Sequence, residues 1–216
     1  MIKFIKEKRN LVLSKQIINV TLSTINKQKN KDKIVIMDIG SGKQCWLNQK
    51  FNNNLKLSSK YSFHNYEFFS KKEIYHFKKL GFNCYNIKES KKLKKSDILI
   101  FNDVLHHIFY QKIDYNKVGK FLVKLLKTTK YIFIKDHFSE SNFDLIILNL
   151  MDKIGNKDIK DKVPNNYFQK KKFLKMCLKY KINIKNLKTN IEYYPKIIPF
   201  FGKPTLHFSL VLESAQ

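Results

Sequence analysis

The chain has 216 residues, enough for one domain with a sizeable core, and its 43% hydrophobic and 14% aromatic content excludes a disordered polymer. No stretch approaches the ~18–20 consecutive apolar residues of a membrane span. A formal charge of +26 invites nucleic acid, but Arg9 is the only arginine, and specific phosphate and base recognition favours the bidentate guanidinium. The chain is also rich in Asn, Ile, Tyr and Phe, which share AT-rich codons with Lys, so compositional bias is the simpler cause of the charge. Nucleic-acid binding is possible and not favoured. Non-specific attraction to RNA or anionic lipid would remain as a side effect. Cys45, Cys84 and Cys177 are an odd, widely spaced set, which fits free thiols in a reducing compartment and a cytoplasmic protein.

In chain order, a basic segment with no continuous apolar core does not read as a signal peptide. It reads as an amphipathic helix over 8–26, with Ile18, Leu22 and Ile25 on one face. A strand over 33–38, a loop over 39–45 and a short helix follow. A strand over 61–68, a helix over 71–80 stopped by Gly81, and a strand over 82–87 come next. A strand over 97–102, a helix over 114–127 and a strand over 131–135 complete an alternating rhythm that predicts a parallel sheet covered on both faces. A helix over 144–154 then carries Ile147, Leu150, Met151 and Ile154 as a stripe. A polar stretch over 155–162, a helix over 168–180, and strands over 182–187 and 206–213 close the chain. Pro195, Pro199, Gly202 and Pro204 make a stiff loop between the last two strands. Residues 1–216 read as a single domain, with 138–168 an insertion that forms a lid or substrate wall.

The most informative stretch is Ile34-Val-Ile-Met-Asp38-Ile-Gly40-Ser41-Gly42. A β-branched run ends in an acid, and alternate glycines let the backbone turn tightly against a ligand. A second strand, Ser96 to Asn102, runs through Asp103 into a helix that opens with His106-His107. A third, Lys130 to Lys135, ends in Asp136-His137. This order, and the wording Asp103-Val-Leu-His106-His107-Ile, resembles the class I S-adenosylmethionine-dependent methyltransferase family over residues 30 to 140. Downstream, Leu150-Met-Asp152-Lys-Ile-Gly155-Asn156, Val163-Pro-Asn-Asn-Tyr167 and Pro204-Thr-Leu-His207-Phe are similar to a bacterial subgroup with an MDWVGN and LPYNY pattern. Lys153, Ile154 and Asn165 depart from it.

The resemblance implies an α/β three-layer sandwich, with a seven-stranded, mostly parallel sheet whose last strand is antiparallel. It implies S-adenosyl-L-methionine as cofactor. Asp38 orders the glycine turn and reaches the cofactor's amino group, or is simply a turn aspartate. Gly40, Ser41 and Gly42 form the cofactor loop, although Gln44 stands where many members have a third glycine. A valine at position 40 is expected to fill ligand space and leave the fold intact. Glu67 is the nearest acid for the ribose, with Tyr66 or Asn65 as helpers, or it is a surface glutamate. Asn86 is a candidate for the adenine. Asn102 lines the cofactor pocket beyond the strand ends, while Asp103 does the same or caps a helix.

For catalysis, the Asp136 carboxylate beside the His137 imidazole suits a base that deprotonates an acceptor, or is a buried polar pair. His106 is preferred over His107 to face the acceptor. The two are adjacent, about 100° apart on a helix, so they do not both serve one metal easily, and no metal is expected. Asn156, Tyr167 and His207 line the acceptor pocket. The expected activity is methyl transfer to a small or lipid-like acceptor bearing an O- or N-nucleophile. The alternatives are an RNA methyltransferase, weakened by the missing Asn-Pro-Pro-Tyr-like motif, and a non-catalytic cofactor-binding protein.

Overall fold

The computed structural model describes residues 2–27, 33–42, 44–53, 60–88, 95–109, 112–155, 166–189 and 207–214. The order is α1 (Ile2–Lys27), β1 (Ile34–Ile39), α2 (Trp46–Asn52), β2 (Tyr61–Glu67), α3 (Lys71–Lys79), β3 (Asn83–Asn86) and β4 (Ser96–Asn102). It continues with α4 (Leu105–Ile108), α5 (Tyr115–Leu126), β5 (Thr129–His137), α6 (Asn142–Gly155), α7 (Lys170–Lys179), β6 (Asn183–Thr189) and β7 (His207–Glu213). The strands form one sheet in the order β3-β2-β1-β4-β5-β7-β6. Pairing is parallel from β3 to β5, and β7 runs antiparallel to both β5 and β6.

Side chains alternate across a strand, so each strand feeds two cores. Ile34, Ile36, Ile98, Ile100, Phe133 and Val211 pack on one face against Leu13 and Ile17 of α1 and Leu47 and Phe51 of α2. Met37, Leu99, Phe101, Ile132, Ile134 and Leu210 pack on the other against Val118 and Leu122 of α5 and Phe173 and Met176 of α7. Burial on both faces is why the central strands read as unbroken apolar runs. The edge strand β6 is largely exposed and carries Lys185 and Lys188, charges that discourage pairing with another chain.

Three expectations change. Helix α1 starts at Ile2, six residues before the expected 8. Strand β5 runs over Thr129–His137 and not 131–135, because β7 pairs with it from Tyr131↔Glu213 to His137↔His207, so Asp136 and His137 lie inside the paired strand at its end. On α6 the buried stripe is Asp144, Ile147 and Leu148, and Leu150 is 49% exposed. The stiff proline loop, Pro164 and the polar residues 156–162 lie outside the described residues. The excursion after β5 returns close to where it left: Phe138 bridges Phe168, and Ser139 N–H donates to Phe168 O at 2.8 Å.

Candidate active site

Strand β1 delivers Asp38 to the sheet's C-terminal edge beside a glycine turn. Gly40 has φ +73°, and a Cβ there would meet Val104 Cγ2 at 2.2 Å. The expectation for Gly40→Val is therefore overturned: the added side chain strikes the β4–α4 turn in a backbone conformation that valine resists. Gly42, at φ +70°, is different, since a Cβ there meets nothing within 4 Å. The open side of the turn lies at Gly42.

Glu67 comes to this loop from the end of β2. Its Oε2 accepts the Gly42 N–H at 3.1 Å and its Oε1 the Phe68 N–H at 2.8 Å, which fixes the carboxylate plane. The backbone N–H groups of Gly40 and Ser41 donate to Tyr66 O at 2.8 and 3.3 Å. Asp38 is buried, and its Oδ1 accepts no hydrogen bond among the described residues. Burial, and then the charge of Glu67, push its carboxyl up to about 8. Asn86 bridges the turn after β2, donating to Phe69 O at 2.7 Å and accepting the Lys88 N–H at 2.9 Å. Asn65 donates to Asn83 O, and Tyr66 stacks on Tyr85 with centroids 5.0 Å apart.

On the other side of β1, strand β4 ends in Asn102, whose Oδ1 is buried without a partner among the described residues. Asp103 follows in the left-handed region at φ +53°, which is costly for a non-glycine residue. Strand β5 holds it there. The Asp103 N–H donates to Lys135 O at 2.8 Å, and the fully buried Lys135 ammonium pairs with its carboxylate.

Beyond it, His106 is fully buried between two acids. Its Nδ1 lies 2.6 Å from Asp136 Oδ1, its Nε2 lies 3.2 Å from Asp152 Oδ2, and its backbone N–H donates to Asp136 Oδ2 at 3.2 Å. The Tyr167 hydroxyl donates to the same Asp152 oxygen at 2.6 Å. Burial alone would push the imidazole down. Asp136, reinforced by Asp152, outweighs it and raises His106 to about 10. Reciprocally, His106 outweighs burial to hold Asp136 far below the usual carboxylate range and to lower Asp152 to about 2. His106 is thus an imidazolium that clips α6 onto β5.

The expected Asp136–His137 contact is present but shared: the His137 Nδ1 stands 3.6 Å from both Asp103 Oδ1 and Asp136 Oδ1, while the shorter contact of Asp136, at 2.6 Å, goes to His106, 30 residues away. His107 also departs from the helix argument: its ring tilts beside that of His106 with centroids 4.2 Å apart. Burial, then the His106 charge, lower its basicity. Two triads, His106–Asp136–His137 and His106–His107–Asp152, bring their donor atoms within 4.8 Å. Both use His106, so an ion in either would have to displace a firmly held proton.

Tyr167 sits over both rings, 5.2 Å from that of His106 and 6.1 Å from that of His137. His207 opens β7 opposite His137 in the register, and its side chain is outside the described residues, as is Asn156. Sequence reasoning passed over Lys135 and Asp152. A signal existed for each: a lysine inside an apolar strand, and an acid four residues after Leu148 on the buried side of α6.

No protein-family model matches the chain, and no curated protein matches it in sequence. Solved structures do match. A putative sarcosine dimethylglycine methyltransferase from Galdieria sulphuraria is 9% identical with a TM-score of 0.57, over 95% of this chain and 86% of that one. The plantazolicin methyltransferase BamL, solved with a triazolic desmethylPZN analogue and SAH, is 14% identical with a TM-score of 0.54, over 96% and 85%. The magnesium protoporphyrin IX methyltransferase of Synechocystis PCC 6803, with SAH, is 12% identical with a TM-score of 0.52, over 93% and 83%. At such identities the likeness is one of fold: this chain has the Rossmann-like fold of class I S-adenosylmethionine-dependent methyltransferases.

Proposed function

We propose that the chain is an S-adenosyl-L-methionine-dependent methyltransferase acting on a small-molecule or lipid-like acceptor through an oxygen or nitrogen nucleophile. One observation carries this reading: a buried Asp38 with an oxygen lacking a partner among the described residues stands beside the open Gly42 turn. The site lies at the strand-order switch between β1 and β4, where ligands of open α/β sheets bind. A buried carboxyl held to about 8 is costly to ionise alone, and a ligand ammonium supplies the missing charge. Glu67, already oriented by two backbone donors, keeps lone pairs for ribose hydroxyls. Asn86 borders the adenine side, and Asn102 and Asp103 the reacting end.

The cofactor supplies an activated methyl group, so the chain's work is alignment and, for a hydroxyl or protonated amine, removal of a proton. His106 is the wrong base, since it keeps its proton to about pH 10. In this reading it positions the wall made by Asp136, Asp152 and Tyr167. His137 takes the proton, and Asn156, Tyr167 and His207 border the acceptor. The whole chain acts as one domain between three layers of structure, with 138–168 as the lid over the acceptor.

Titration calorimetry with S-adenosylhomocysteine tests the cofactor half: binding by the wild-type chain and its loss in a Gly42→Asn variant are expected, since asparagine tolerates the φ of +70° there and the added side chain meets no protein atom within 4 Å at its Cβ. Unchanged affinity in that variant would remove the glycine-loop assignment. A methyl-donor screen against cell-extract fractions tests the rest. His137→Ala should keep cofactor affinity within a few-fold while turnover drops by on the order of 10²-fold. Full turnover would leave alignment alone.

A further inference from the structure

Helix α6 is apolar on its outer face as well as its inner one. Phe143, Ile146 and Leu150 are 55, 64 and 49% exposed, and their i, i+3, i+7 spacing gathers them within an arc of about 60°. The inner face is separately filled by Ile147 and Leu148, which pack with Tyr167. Single exposed apolar residues are ordinary, whereas a row of three large ones marks a contact surface. Helix α7 adds charge. Lys171, Lys172, Lys175 and Lys179 are all exposed on one arc around Leu178, itself 79% exposed. The two helices start side by side, because the Lys170 N–H donates to Glu140 Oε1 at 2.6 Å and the Glu140 N–H to Asp144 Oδ2 at 3.2 Å.

We propose that the outer stripe of α6, together with the lysine face of α7, docks on an anionic lipid bilayer. An amphipathic surface with large apolar side chains beside lysines sits at the boundary between headgroups and acyl chains. The chain's +26 charge draws it to a negative leaflet. The same charge opposes the other occupants. Two copies at +26 each repel across a shared apolar face. Nucleic acid takes the lysines but offers nothing for Phe143, Ile146 and Leu150. The docking is independent of methyl transfer, and its test reads binding alone.

The full chain is sedimented with vesicles of phosphatidylcholine alone and with added phosphatidylserine, at ionic strength on the order of 0.1 M. Binding to the anionic vesicles only is expected. The exposed pair Phe143→Ser/Ile146→Ser, and separately Lys171→Gln/Lys172→Gln/Lys175→Gln, should each weaken it by about tenfold, with S-adenosylhomocysteine affinity and Tm unchanged. Phe143→Trp keeps the surface apolar, and its emission should shift to the blue on anionic vesicles beyond the shift of wild type, which carries Trp46 alone. Failure of wild type to bind, equal binding by the serine variant, or no shift for Phe143→Trp overturns the proposal. So does a wild-type dimer that the serine variant abolishes, which would assign the stripe to a second copy.

Discussion

Asp38 and Asp136 are the same residue in nearly the same place, and their chemistry is opposite. Both lie at the C-terminal ends of parallel strands and are buried, at 2% and 0% exposure. Asp38 is pushed up to about 8 by burial and then by the charge of Glu67, with no cation paired to it among the described residues. Asp136 is held far down, because His106 brings a positive charge to 2.6 Å. Desolvation acts on both in the same direction, so the partner decides the outcome. The β1 end of the sheet carries a buried carboxyl with no cation beside it among the described residues. At the β5 end, His106 joins β5, α4 and α6 through Asp136 and Asp152.

The largest test of that contrast is a pair of isosteric variants. Asp136→Asn leaves a buried imidazolium with only Asp152 against it and should cost ~3–5 kcal/mol, lowering Tm by about 10 °C. Asp38→Asn replaces a carboxyl that keeps its proton to about pH 8 and whose Oδ1 has no partner among the described residues, so the ligand-free Tm should hold or rise. Its loss should show instead in S-adenosylhomocysteine affinity, by on the order of 10–100-fold. Thermal melts with and without ligand separate the two, and equal destabilisation by both variants would break the comparison.

A smaller, graded effect comes from pH. The folded chain holds the Asp38 proton up to about pH 8, against a reference of 3.8, so it binds more protons than the unfolded chain between those values and loses stability as pH rises through them. Asp38→Asn should flatten that limb. His106, raised to about 10 from 6.5, contributes fully below about 6.5 and loses its contribution as pH rises to about 10. Asp152, lowered to about 2 from 3.8, contributes above about 3.8 and loses that as pH falls through about 2. Denaturant melts across pH 2 to 10 on wild type, Asp38→Asn, His106→Gln and Asp152→Asn resolve the three limbs. Cofactor affinity that rises from pH 6 to 8 in wild type and stays flat in Asp38→Asn would tie the first limb to ligand binding.

The two halves also differ in how far the sequence reveals them. The glycine turn is local: Asp38, Gly40 and Gly42 lie within five residues, and strand period plus turn chemistry suffice to find them. Even there, the division of labour between Gly40, pressed on Val104, and the open Gly42 needs the packing of β4's turn. The His106 cluster is assembled across 30 and 46 residues, from His106 to Asp136 and to Asp152, and no periodicity reports such pairs. Proximity in sequence reaches the contact of Asp136 with its neighbour His137, at 3.6 Å, and misses the closer one, at 2.6 Å, that Asp136 makes with His106. Strands β1, β4 and β5 were legible because burial on both faces leaves long apolar runs.

The smallest effect should come from Tyr167→Phe, and it asks whether the clip on α6 is a two-body or a three-body device. The hydroxyl donates at 2.6 Å to the Asp152 oxygen that also faces His106 Nε2, while the ring stands over His106 at 5.2 Å. Phenylalanine keeps the ring and removes one donor. Asp152 retains its ion pair, so the loss should be about 1 kcal/mol, roughly 2–4 °C in Tm for a chain of this length. Cofactor affinity should not change, since the contacts of Asp38, Gly42 and Glu67 do not include Tyr167. Asp152→Asn provides the scale: it removes the charge that faces His106 and should cost several times more. If Tyr167→Phe costs as much as Asp152→Asn, the proton on the tyrosine is what holds Asp152 toward His106, and the acceptor side is a network that fails as a unit. If it costs as little as expected, the ion pair closes the site and the tyrosine is left as a wall whose hydroxyl an acceptor can borrow.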